Sequence, residues 1–177
     1  SYVVLYAAFV SSLYKIIGIE FAAYFVQNVV SSYEHHLINS KNHEAPGAVP
    51  AGQESTQQKD KGKEASNLVV LLSELYNFQV ISCVLIYDVV RGLLDGEIEE
   101  LNVELLLKIV RNSGQQLRQD DPSALKDIIQ IIHNKLGKNE DNLSSRTRFM
   151  IETFEQFEEP TKSRRIGTAK SGEGKQL

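Results

Sequence analysis

Apolar periodicity restarts near Leu68, Leu105 and Leu143, which lie 37 and 38 residues apart. Each of the first two openings is followed, after a short turn, by a second helical stretch. Two-helix units recurring at about 40 residues are the signature of an α-solenoid of the HEAT type. One such pair cannot bury its apolar side alone, so neighbouring pairs must stack and share a continuous core. The spacing therefore predicts an all-α chain built from antiparallel helix pairs, with residues 2–38 as the pair before the first opening and the helix from about Asn142 as the start of a fourth unit.

The individual helices follow from stripes and punctuation. Residues 2–17 and 19–38 are two apolar-rich stretches that meet at Gly18, a natural break between helices. Leu68, Leu71, Leu72 and Leu75 keep helical spacing in a helix resuming at Ser66. A turn at Tyr76–Gln79 leads to Val80–Leu94, apolar on nearly all sides and so expected to be covered on two faces, and Asp95–Gly96 ends it. Asn102 reads as an N-cap with Glu104 in the first turn; Val103, Leu106, Leu107 and Val110 form the stripe, and Gly114 is placed to terminate that helix. Asp121 caps the next helix, with Pro122 at the first helical position, where its missing N–H costs nothing. The last helix, 142–159, turns Leu143, Thr147, Met150, Phe154 and Phe157 to one side before Pro160 blocks continuation.

Residues 39–65 break the pattern. They carry two prolines, three glycines and Val49 as the one large apolar residue. Such a segment buries too little to offset ordering, and it reads as a disordered insertion within a domain spanning 1–159. From Pro160 on, Lys162, Arg164, Arg165, Lys170 and Lys175 face only Glu173, giving a flexible basic tail of net +4. The chain as a whole is −4, so residues 1–159 carry −8. A body that acidic is a poor primary grip on phosphates and suits a protein partner better, while the tail could touch RNA.

Other function classes find little support. The apolar stretch 1–14 is shorter than a bilayer requires and is stopped by Lys15, and no basic region precedes it. The chain starts inside an apolar pattern without Met, and is expected to be a fragment of a longer protein. With one cysteine, Cys83, there is no disulfide framework, and that residue reads as a buried small hydrophobe. His35 and His36 point about 100° apart on a helix and cannot easily share a metal; His133 reads as a boundary residue. Gly167–Lys175 is a near miss to a phosphate loop, with Glu173 where the lysine belongs and no strand before it. The pairs Asp120–Asp121 and Glu99–Glu100 sit at helix starts, where capping explains them better than acid–base work. The chain reads as no enzyme, with no cofactor and no metal. Two acidic features stay open. Asp88 is either hydrogen-bonded to a neighbouring element or exposed at a partner groove, and the cluster Asp95–Glu104 is either a solvated turn or a dock for a basic surface. Arg148 and Glu152 have i,i+4 spacing, with Arg146 on a different face.

The stretch Leu143-Ser-Ser-Arg-Thr-Arg-Phe-Met-Ile-Glu152 resembles the closing helix of the middle domain of translation initiation factor 4G, the MIF-4G fold. Leu75-Tyr-Asn-Phe-Gln-Val80, Leu85-Ile-Tyr-Asp88, Leu105-Leu-Leu107 and the run Arg111 to Lys126 are similar to the nucleolar branch of that family, particularly its fungal form, as is Leu5–Val30 with Gly18-Ile-Glu20. The resemblance covers nearly everything except 39–65 and the tail. It implies an α-solenoid scaffold that binds a DEAD-box RNA helicase of the initiation-factor-4A class and stimulates its ATP turnover. The setting it implies is the nucleolus, among pre-ribosomal particle proteins, in small-subunit biogenesis and 18S rRNA maturation; the same solenoid serves splicing, mRNA surveillance or translation initiation in other branches. It also implies a second helical domain, of the MA3 type, after this one in the full protein. After Phe157 this chain departs from the family with Glu-Glu-Pro. Candidate contact positions carried by the matching segments are Asn77 and Phe78 in the turn, Arg111, Asn112, Arg118 and Asp120 around the following inter-helix loop, and Arg146 and Arg148 on the last helix. Phe78 could equally plug the core beneath its turn.

Overall fold

The structure is a computed structural model and describes residues 2–42, 54–96, 98–136 and 144–158. Among these are seven helices and no strand: α1 Tyr2–Ile17, α2 Ile19–Asn42, α3 Glu54–Asn77, α4 Cys83–Leu94, α5 Glu100–Asp120, α6 Pro122–Leu136 and α7 Ser145–Glu158. α3 packs between α1 and α5, and α5 between α3 and α7, so alternate helices form one row. α4 and α6 pack on each other and against that row, and α2 lies along α1 and α3. The expected stack of helix pairs is what forms, with α7 opening a fourth unit. Its core runs through the stack: Leu72, Ile86, Leu93, Leu105, Leu106, Ile109, Ile128, Ile132, Met150 and Phe154 are all at most 2% exposed and belong to one cluster.

Local chemistry sets most boundaries. Gly18, at φ +114°, separates α1 from α2 in a conformation that a side chain would strain. α3 ends in a Schellman motif. Gln79 takes a left-handed φ of 60°, its N–H reaches Tyr76 O at 2.9 Å, and Val80 N–H reaches Leu75 O at 2.8 Å. Asp121 caps α6 as its sequence predicts, since its carboxylate accepts from Ala124 N–H at 2.9 Å. Ser144 does the same for α7 through Thr147 N–H at 3.2 Å.

Four sequence expectations are corrected. Gly114 does not end its helix: α5 runs six residues further, to Asp120, and Gly114 is buried within it. Glycine costs about 1 kcal/mol in a helix interior, and the packing of α5 on both sides outweighs that. Asn102 is no N-cap. It is fully buried in the first turns of α5, where its Nδ2 donates to Leu93 O at 2.9 Å and satisfies the C-terminal end of α4. The helix expected at Val80–Leu94 starts at Cys83 and is not covered all round. Val84, Asp88 and Arg91 form an exposed stripe, and Asp88 pairs within its own helix with Arg91 at 3.2 Å. The expected insertion at 39–65 is narrower, because α2 continues to Asn42 and α3 begins at Glu54. Straight-chain Glu, Gln and Lys residues favour helix, and α3 lies along α2, with His36 and Glu64 joined at 2.7 Å. Residues 43–53 of that segment, and the whole basic tail, lie outside the described residues.

Cys83 is partly buried at the start of α4 and packs against the core. No described helix is long and apolar enough to cross a membrane, and no three His, Cys, Asp or Glu among the described residues gather as a metal site would need. The outer side of α1 is markedly apolar: Leu5, Tyr6 and Phe9 are each more than 60% exposed. A groove of about 520 Å³ opens there, between Tyr6, Phe9 and Leu13 of α1, Phe25 of α2 and Leu71 of α3.

Candidate partner-binding face

The eight sequence candidates fall into two groups. Asn77, Phe78, Asn112 and Asp120 gather where the C-terminal ends of α3 and α5 lie side by side. Asn77 Nδ2 donates to Asn112 O at 2.9 Å and approaches Glu74 Oε2 at 3.4 Å. Phe78 sits at the C-cap of α3 and is 36% exposed as a residue, so it is not a plug beneath the turn, and its carbonyl accepts from Ser11 Oγ of α1 at 3.4 Å. Asp120 takes two hydrogen bonds, from Tyr76 OH at 2.5 Å and from Gln116 Nε2 at 2.9 Å. This edge of the solenoid is tied from α1 through α3 to α5 by bonds that cross from one helix pair to the next.

Arg111, Arg118, Arg146 and Arg148 form the second group, and the correction at Gly114 changes their setting. Arg111, Asn112 and Arg118 are not loop residues but lie within α5, Arg118 about two turns beyond Arg111, with Asp120 as its last residue. Arg111 and Arg118, seven residues apart, lie on one side of the helix. The guanidinium of Arg111 stands over the ring of Phe149 on α7, 5.1 Å from its centre. Arg146 reaches the other end of α5, meeting Glu100 Oε1 at 2.8 Å and Glu104 Oε2 at 3.9 Å. It joins two helices within the chain, and two acids of the Asp95–Glu104 cluster are its partners. Arg148 is exposed on α7, one residue from Phe149. His133, exposed on α6, meets Glu155 of α7 at 3.3 Å.

The sequence reading missed Phe149, Tyr76 and Tyr87. Phe149 was detectable, being an aromatic residue that falls outside the stripe Thr147–Met150–Phe154; it is 45% exposed while Met150 and Phe154 are buried. In sequence Tyr76 falls in the expected turn and Tyr87 in an apolar stretch, whereas Tyr76 belongs to the last turn of α3. In the fold their hydroxyls end on the α5–α6 turn, Tyr87 donating to Asp121 O at 2.8 Å. Burial pushes both phenols well above their ordinary range, with the charges of Asp120 and Asp121 adding to it.

Comparison with known proteins agrees with this architecture. The MIF4G domain model matches residues 1–160. Suppressor of glycerol defect protein 1 of Schizosaccharomyces pombe is 41% identical over 162 residues, 91% of this chain and 19% of that protein. The protein of the same name from Saccharomyces cerevisiae is 39% identical over 152 residues, 84% of this chain and 16% of that protein. Nucleolar MIF4G domain-containing protein 1 of Homo sapiens is 33% identical over 147 residues, 82% of this chain and 15% of that protein. The chain thus spans less than a fifth of the length of these relatives. No solved structure matches. A stack of helix pairs matched by one family model almost from end to end leaves a single assignment: this chain belongs to the MIF4G domain family.

Proposed function

We propose that the chain is a non-catalytic scaffold that binds a DEAD-box RNA helicase of the initiation-factor-4A class during small-subunit ribosome biogenesis. The observation that carries this reading is the family match over residues 1–160, joined to relatives whose own name calls them nucleolar. The fold supports it physically. A stack of helix pairs with one edge fixed by Tyr76–Asp120, Asn77–Asn112 and Ser11–Phe78 is a stiff platform. Such a platform favours one arrangement of a two-lobed partner by binding it more tightly than the others, which shifts the partner's population while the chemistry stays in the partner. On this reading the location is nucleolar or nuclear, the neighbours are pre-ribosomal particle proteins, and RNA contact through residues 160–177 is secondary.

Titration calorimetry of the chain against helicases of this class tests it. Binding, with a rise in ATP turnover, is the expected result, and no binding to any of them discards the reading. Nucleolar staining of the tagged protein is expected as well. Staining of nuclear speckles or cytoplasm would move the same scaffold to splicing, mRNA surveillance or translation initiation.

A further inference from the structure

We propose that Arg111, Arg118 and Phe149 form a stripe that grips a protein partner through a carboxylate-bearing loop with an apolar side chain at its tip. This rests on the helicase-scaffold reading and assigns the chemistry of its contact. Charge is unevenly distributed along α5. Its acids lie at the two ends and are engaged: Glu100 and Glu104 hold Arg146, Glu104 also meets Lys108 at 3.3 Å, and Asp120 accepts from Tyr76 and Gln116. Between Lys108 and Gln119 there is no acidic residue. Lys108 is occupied with Glu104 and with Ser66 Oγ. Arg111 and Arg118 remain on the same side of the helix, about 10 Å apart along its axis. Arg111 has Phe149 as its partner, and Arg118 is partly exposed with no ion pair among the described residues. The outer side of α7 adds Arg148 and Glu152, which balance each other in charge.

The result is a locally cationic stripe beside an exposed aromatic ring on a body of net negative charge. Arg and aromatic residues are the side chains most often found as interface anchors, and a guanidinium held on a ring has already lost much of its freedom before binding. Its planar fork donates two hydrogen bonds to a carboxylate, and the open part of the Phe149 ring offers an apolar seat next to it. The charge count favours protein over RNA. Two arginines neutralise few phosphates, and the −8 of residues 1–159 repels a polyanion as a whole while leaving a single acidic loop free to dock.

The test compares the chain with Arg111→Glu/Arg118→Glu, Phe149→Ala and Arg118→Glu, against a helicase of the initiation-factor-4A class and against a twelve-nucleotide uridine oligomer. Helicase affinity is expected to fall at least tenfold in the double variant and several-fold in each of the others. The unaltered chain is expected to bind more weakly as salt rises, and the double variant to lose that dependence. Arg118→Glu lies outside the ring contact and serves should the double variant unfold, as melting by circular dichroism will reveal. Helicase binding by the unaltered chain that stays within twofold in folded variants overturns this assignment alone. Loss of oligomer binding with helicase binding intact overturns it in favour of RNA. Failure of the unaltered chain to bind any such helicase removes the scaffold reading and this contact with it.

Discussion

The hydroxyl of Tyr76, at the end of α3, donates to Asp120 Oδ2, at the end of α5, across 2.5 Å. Forty-four residues apart in sequence, the two fasten one helix pair to the next at the edge where the candidate contact residues gather. Tyr76 is 3% exposed, so the bond joins a buried ring to an exposed carboxylate. Replacing it by Phe keeps the ring packing and removes the bond. Tyr76→Phe is expected to cost about 1–2 kcal/mol, within the range for a hydrogen bond to a charged group. Urea denaturation with an unchanged slope checks it; an unchanged midpoint would show that the tie contributes nothing.

Tyr33, Tyr76 and Tyr87 make stability depend on alkaline pH. All three phenols are raised above their ordinary value of 10.0, burial being the first cause in each. Above pH 10 the unfolded chain releases these protons while the folded chain keeps them, so the unfolded state binds fewer protons and stability falls as pH rises. The contribution is whole below pH 10 and is lost progressively above it, at about 1.4 kcal/mol per pH unit for each tyrosine while it stays protonated only in the folded state. Denaturation between pH 9 and 11 measures the slope. The triple Phe variant is expected to flatten it, and an equal slope would refute the assignment.

Phe149 and Phe154 lie on the same helix with opposite tasks. Phe154 is 2% exposed, and Phe154→Ala is expected to cost about 3–5 kcal/mol through lost burial and the cavity left behind. Phe149→Ala removes an exposed ring and its stacking with Arg111, for about 1 kcal/mol or less. Thermal melting of the two variants decides it; comparable losses would mean that Phe149 belongs to the core.

Arg146 links α7 to α5 through surface charges, so its contribution is small and sensitive to salt. Arg146→Glu places three acids together and is expected to destabilise by about 1 kcal/mol at low ionic strength, less at high. Adding Glu100→Arg should restore most of the loss. A double-mutant cycle measures the coupling, and a coupling near zero would leave the pair without energetic weight.

Features that rest on a few neighbouring residues were legible in the sequence. Asp121 and Pro122 announce the start of α6 because a cap needs only the next three residues, and Gly18 announces the break before α2 because φ is a property of one residue. The stripe Thr147–Met150–Phe154 named the buried side of α7, and by omission its exposed Phe149. Gly114 and Asn102 misled for the complementary reason. In sequence a glycine after a stripe resembles a stop and an asparagine before one resembles a cap. Both are buried inside the stack, and the competing uses come from residues elsewhere: α5's neighbours in one case, Leu93 O in the other.

The sequence by itself determined that the chain is helical, that its helices pair at a repeat near 40 residues, and which side of α3, α5 and α7 turns inward, since periodicity and capping are local and the cost of exposing an apolar stripe is paid wherever the stripe lies. Which arginines stay available for a partner was decided by tertiary structure. Arg111, Arg118 and Arg146 are equivalent as letters, and only the packing of α7 against α5 gives Arg146 two carboxylates and Arg111 an aromatic ring, while Arg118 is left partly exposed. Electrostatic energy depends on separations of a few ångströms between residues distant in the chain, and those separations exist only once the helices have stacked.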